Sequence, residues 1–112
     1  MKYRLDDEAS DEFINAVQHY ARMDRRLGRR FIEDLRRSLS LLRDNPYLGP
    51  RVIGDNRRLL LKRFPYLVIY RVDTASRLIH ILAIVDQRRR PDAWRTRVEE
   101  PPAAYEALGW AA

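Results

Sequence analysis

The stretch FPYLVIYRVDTASRLIHILAIVD, residues 64–86, decides the fold class of this chain. Its two apolar segments, 66–72 and 78–86, are rich in β-branched and aromatic residues, and the polar residues 73–76 between them are typical of a tight turn. Pro65 marks another turn, and residues 57–64 before it also read as a strand. The pattern predicts three consecutive antiparallel strands joined by short links.

The residues ahead of this sheet predict one more strand and two helices. Residues 2–5 read as a short strand, and residues from about 7 to 23 carry apolar side chains at helical spacing. A tight connection at 24–28 leads into a second amphipathic helix, which ends at Asn45 because Pro46 follows it. We therefore expect an α+β fold, with an N-terminal strand and an antiparallel helix hairpin packed on one face of a small, mainly antiparallel sheet.

The 112 residues fit a single domain, which we expect to span residues 1–98. Residues 99–112 begin with two glutamates and two prolines, and predict a C-terminal tail that is either flexible or docked on the domain. The chain has no cysteine, which excludes disulfides and thiolate sites and fits a reducing compartment. No apolar run is long enough to span a bilayer, so we expect a cytoplasmic protein without membrane contact.

Positive charge is concentrated in residues 51–97, where twelve Lys and Arg against four Asp and Glu give +8, while the whole chain carries +6. A segment of this kind attracts a polyanion, which is either nucleic acid or an acidic protein partner. The alternative is a solvated basic surface without a ligand.

Strand alternation suggests where these bases lie. Arg58 and Lys62 point to the same side of their predicted strand, and Arg71 in the next strand can share that face, which predicts a basic groove away from the helices. The alternative leaves these bases at strand ends and edges in water. Residues 87–97 then place five arginines around Trp94. Arginines in this arrangement can bind phosphates, and the tryptophan can stack on a base. For a lone tryptophan we favour a packing role that closes the end of the sheet.

Other chemistry is not evident in the sequence. There is no glycine-rich phosphate loop and no zinc motif, and His19 and His80 are far apart, so both are interpreted as structural. We expect no cofactor and no metal. Phosphate chemistry, if present, would depend on arginines, Lys62 and a tyrosine that stabilise charge.

The order of these elements resembles the RelE/ParE toxin superfamily, and the local matches reach to about residue 98. The matching positions are Tyr20, Gly28, Phe31, Asn45, Pro46, Gly49 and the runs 64–71 and 88–97. The resemblance implies the toxin of a type II toxin–antitoxin, or plasmid stabilisation, system. It also implies a cognate antitoxin whose flexible segment wraps the toxin in a hetero-oligomer.

The resemblance leaves three functions open. RelE-like members cleave mRNA on the ribosome, and the catalytic candidates for that activity here are Arg58, Lys62, Arg71 and Arg88. ParE-like members inhibit DNA gyrase without a nuclease site. The third alternative is a non-toxic binding module of the same fold.

The resemblance favours the ParE-like branch, because Leu60 and Leu67 fall where the RelE pattern carries bases and Trp94 takes the place of a terminal tyrosine. The protein is then expected to be a gyrase inhibitor rather than an enzyme. The target-binding residues that the resemblance and the charge pattern imply are Arg58, Lys62, Arg63, Arg71, Arg88, Arg89, Arg90, Trp94 and Arg95.

Overall fold

The computed structural model describes residues 1–88 and Trp94, and these form two helices and a five-stranded sheet. In chain order the elements are β1 (Lys2–Leu5), α1 (Asp7–Met23), α2 (Arg25–Asp44), β2 (Arg51–Ile53), β3 (Asn56–Leu60), β4 (Tyr66–Asp73) and β5 (Leu78–Asp86). The expected α+β architecture is confirmed. The predicted tail, residues 99–112, lies outside the described residues. No helix in the described part of the chain is long and apolar enough to cross a membrane.

The helix hairpin turns at a single residue, Asp24. Its backbone N–H closes α1 on the carbonyl of Tyr20 at 3.0 Å, and its carboxylate accepts the N–H of Arg26 at 2.8 Å to cap α2. Hydrogen bonds from the side chain and the N–H of Arg26 hold the pKa of Asp24 below its usual value. This cap starts α2 at Arg25, within the segment predicted as a connection.

The sheet has the strand order β1-β5-β4-β3-β2. β3, β4 and β5 form the predicted antiparallel meander, whereas β1 lies parallel to β5 and β2 adds a short antiparallel edge. The strand predicted over 57–64 is shorter in the structure, because β3 ends at Leu60. Leu61 is buried in the core, so the chain turns inward before Lys62.

The helices cover one face of the sheet and form the main core there. The buried side chains of this core include Phe31, Leu35, Leu39 and Leu42 of α2, and Val68, Tyr70, Ile79 and Ile81 of the sheet. The Tyr70 hydroxyl accepts the backbone N–H of Gly49 at 2.9 Å, which ties the loop after α2 to the sheet. Burial raises the pKa of the Tyr70 hydroxyl above its usual value.

Candidate functional site

The outer face of the sheet, which is the face away from the helices, is apolar at its centre. Leu67, Ile69 and Ala83 form a second buried cluster with Trp94, which is 4% exposed. Leu67 is in register with the exposed Leu60 on β3, which extends the apolar surface. Apolar side chains therefore interrupt the face on which a basic groove was predicted, and Arg58 and Arg71 lie on that face. Trp94 packs against the sheet, as the packing interpretation expects.

A row of polar side chains crosses the outer face beside this apolar cluster. The strand register aligns Arg4 of β1 with His80 of β5, His80 with Arg71 of β4, and Arg71 with Asn56 of β3. We call Arg4, His80 and Arg71 the polar row. Arg58, in register with Ile69, lies diagonally from Arg71 on the same face. Arg4 was not predicted as a site residue, since it joins the row only through the parallel pairing of β1 with β5. His80, which the β4–β5 hairpin aligns with Arg71, was interpreted as structural.

Within the polar row, His80 lies close to a carboxylate, whereas the two arginines do not. The Oδ2 atom of Asp73 lies 3.8 Å from the Nε2 atom of His80, and hydrogen bonds from Ser76, with a smaller contribution from His80, lower the pKa of Asp73. The exposed side chains of Arg4, Arg58 and Arg71 make no hydrogen bond or ion pair with any residue that the structure describes. Their positive charge therefore faces solvent.

A second basic group lies at the opposite end of the strands, around the β3–β4 loop. Lys62 and Arg63 are exposed in this loop, and Asp34, buried in α2, accepts the N–H of Arg63 at 2.8 Å. The turn after β5 joins this region through a 2.9 Å hydrogen bond from the N–H of Gln87 to the carbonyl of Pro65. We call this region the loop end. Because β4 rises about 3.3 Å per residue, its start at the loop end lies roughly 17 Å from Arg71.

Aromatic rings hold the β3–β4 loop against the helices. The ring of Phe64 lies 4.8 Å from that of Tyr20 and 5.2 Å from that of Phe31, and both contacts are edge-to-face. Tyr66 contacts Phe31 in the same way at 5.0 Å. Such pairs each contribute about 1 kcal/mol beyond burial. The Phe64, Pro65 and Tyr66 run therefore fixes the loop that carries Lys62 and Arg63.

Arg88 at the loop end is paired with a carboxylate. Its Nε and Nη2 atoms donate to the two carboxylate oxygens of Asp86 at 3.2 and 3.0 Å, and its backbone N–H donates at 2.9 Å. The side chain of Asp86 is 9% exposed, against 63% for Arg88. This pair raises the pKa of Arg88 and neutralises its charge locally.

A small polar cavity of about 140 Å³ lies between α2 and the β3–β4 loop. It is lined by Arg30, Glu33, Asp34, Arg37 and Arg63. The buried carboxylate of Asp34 is stabilised by its ion pair with Arg37 and by the hydrogen bond that it accepts from the Arg63 N–H. Among the described residues, no group of His, Cys, Asp and Glu side chains could hold a metal ion.

The structure brings together only some of the residues proposed from sequence. Arg58 and Arg71 share the outer face. Lys62, predicted within a strand over 57–64, lies instead in the loop beyond the end of β3, and Arg88 is bound by Asp86. Lys62 and Arg63 lie with Arg88 at the loop end. The other target-binding candidates, Arg89, Arg90 and Arg95, lie outside the described residues.

Comparison with known proteins gave one family and several structures of similar fold. A model of the ParE toxin of the type II toxin–antitoxin system, parDE, matches residues 3–91. No match was found among curated proteins.

Two solved structures show the same fold. A chain of the chromosomal ParDE toxin–antitoxin system from P. aeruginosa is 21% identical with a TM-score of 0.66, and the match covers 77% of this chain and 95% of that one. The isolated E. coli RelE toxin is 17% identical with a TM-score of 0.58, and the match covers 99% and 98% of the two chains. At these identities the structures establish the fold and not the target.

Proposed function

Because this chain belongs to the ParE toxin family of type II toxin–antitoxin systems, we propose that it is a toxin that inhibits DNA gyrase and has no nuclease activity of its own. Membership of the family also implies an antitoxin partner. In this proposal the antitoxin silences the toxin in a hetero-oligomer in the cytoplasm, and the system stabilises the replicon that encodes it.

One observation carries the choice of gyrase over mRNA cleavage: the four catalytic candidates do not converge. Arg58 and Arg71 lie on the outer face, while Lys62 and Arg88 belong to the loop end. Phosphoryl chemistry without a metal needs several cations aimed at one phosphate, since the developing charge must be stabilised at one point.

Two further features support the proposal. Leu60 and Leu67 are in register and place apolar side chains between the two basic groups, so no cation can act from these positions. The guanidinium of Arg88 is already occupied by Asp86 through two hydrogen bonds. A binding surface tolerates this distribution of charge, because separate basic groups can contact separate parts of a large target.

Expression of the chain without an antitoxin tests the proposal in cells. We expect growth arrest with broken chromosomal DNA and with intact mRNA 5′ ends, measured by pulsed-field electrophoresis and primer extension in the same cultures. New mRNA ends within codons, with intact DNA, would identify a ribosome-dependent nuclease instead. Normal growth at a confirmed protein level would indicate a non-toxic binding module.

A further inference from the structure

We propose that the polar row, Arg4, His80 and Arg71, binds the phosphate backbone of duplex DNA. This inference deepens the proposed function and rests on it for the choice of DNA. Gyrase holds duplex DNA, so a toxin that binds gyrase meets that DNA. The row would then contact the DNA while other parts of the toxin contact the enzyme.

The arrangement of the row is unfavourable for stability alone. Arg4 and Arg71 flank His80 from the two neighbouring strands, and two permanent positive charges about 10 Å apart on one face repel one another. His80 has Asp73 at 3.8 Å, but Arg4 and Arg71 have no carboxylate partner among the described residues. An anion placed over the row would relieve this repulsion, and arginine binds phosphate through two parallel hydrogen bonds.

The spacing of the row fits duplex DNA. β1 and β4 are separated by β5, so the backbones of Arg4 and Arg71 lie two strand spacings, or about 10 Å, apart. The major groove of B-DNA is about 12 Å wide, and two long side chains that start about 10 Å apart can reach the phosphates that border it. The major groove of A-form RNA is deep and narrow, which makes duplex RNA the poorer fit.

The surroundings of the row favour nucleic acid over an acidic protein segment. A protein partner gains most of its binding energy from apolar anchors that enter pockets. The apolar cluster beside the row, which includes Leu67, Ile69 and Ala83, is already covered by Trp94. The row therefore offers charge without an adjacent apolar pocket, which is the character of a phosphate-binding surface. Arg58, exposed on the same face, extends the positive surface from β4 onto β3.

Fluorescence anisotropy with the purified full chain and a labelled 20-base-pair DNA duplex tests the proposal over a series of salt concentrations. The test variant is the double substitution Arg4→Gln and Arg71→Gln. The matched control is Arg29→Gln with Arg36→Gln, which removes the same charge from two exposed positions on α2. We expect the row variant to lose at least about tenfold in affinity and its log–log salt slope to fall by about 2. The control variant should keep the wild-type slope.

Equal losses in both double variants, or a row variant that binds like the wild type, would overturn the proposal. The Arg4→Lys and Arg71→Lys double variant guards against misfolding, because it keeps both charges and should keep the salt slope. A duplex RNA of the same sequence should bind more weakly, and equal or tighter binding to RNA would overturn the choice of DNA. No gyrase is present, so failure of these expectations is separate from a failure of gyrase inhibition.

Discussion

The carboxylate of Asp86 and the guanidinium of Arg88 are joined by two side-chain hydrogen bonds of 3.0 and 3.2 Å across the turn that ends β5. Arg88 therefore presents a neutral pair, rather than a free cation, at the loop end. A nuclease would need this arginine to face a phosphate, whereas a docking surface can use the pair as it stands.

Substituting both Asp86 and Arg88 shows whether Arg88 acts by neutralising Asp86 or by contacting the target directly. We predict that Arg88→Ala lowers gyrase-dependent DNA cleavage about fivefold, because loss of the guanidinium removes both side-chain hydrogen bonds to Asp86 and makes the loop end more negative by one charge. Adding Asp86→Asn to Arg88→Ala should restore most of the activity, since the neutral amide removes the added negative charge. A double variant as weak as Arg88→Ala alone would mean that Arg88 itself contacts the target.

Asp34 is predicted to set the stability of the β3–β4 loop. Its side chain is fully buried and accepts hydrogen bonds from Arg37 and from the N–H of Arg63, so Asp34→Ala leaves both donors without their acceptor. We expect a loss of about 2–3 kcal/mol in the free energy of unfolding, measured by urea denaturation. The neighbouring Glu33 is exposed, and Glu33→Ala should change the same quantity by less than about 0.5 kcal/mol. Similar losses for both variants would contradict this role of Asp34.

Trp94 is predicted to stabilise the fold rather than to stack on a base. Because it is buried against Leu67, Ile69 and Ala83, Trp94→Ala should cost about 3 kcal/mol or more in unfolding free energy. Leu60→Ala, an exposed change on the same face, should cost less than about 0.5 kcal/mol. In a Trp110→Phe background, duplex DNA should leave the fluorescence of Trp94 unchanged. Strong quenching by DNA would show that the indole ring contacts the bases.

The buried Tyr70 hydroxyl predicts a pH dependence at alkaline pH. Its pKa is raised in the folded state, so its contribution to stability is complete below the unfolded tyrosine pKa of about 10 and is lost as the pH rises above that value. Tyr70→Phe removes the acceptor for the N–H of Gly49 and should cost about 1–2 kcal/mol near pH 7. Its unfolding free energy should then fall less steeply than that of the wild type between about pH 9 and 11. The exposed Tyr47 serves as a control, since Tyr47→Phe should cost less than about 0.5 kcal/mol near pH 7.

Much of the fold could be predicted from local patterns. The apolar stripes of α1 and α2, and the alternation in β4 and β5, each follow from packing on one face, so the sequence contains their signal. β2 was harder to identify, because three residues between two turns carry too little alternation to indicate a strand. The end of β3 was also not evident, since it depends on the burial of Leu61 and on the hydrogen bond from Arg63 to Asp34, which is distant in sequence.

The candidate site was less predictable because it depends on long-range register. The alternation of Arg58 and Arg71 correctly placed both on one face. The alignment of Arg4 with His80 follows from the parallel pairing of β1 with β5, which are the first and last strands in the sequence. No local sequence pattern encodes this pairing. The apolar cover that Trp94 provides over Leu67 is likewise a contact between distant residues.

Gyrase inhibition is tested directly by a plasmid assay with purified gyrase and ATP, in which this protein is titrated and DNA cleavage is scored after detergent and protease treatment. Gyrase inhibition predicts linear plasmid that increases with toxin concentration and appears only when gyrase is also present. Protein that arrests growth in cells, yet neither traps cleaved plasmid nor reduces supercoiling, would contradict it and would direct the search for a target to the ribosome.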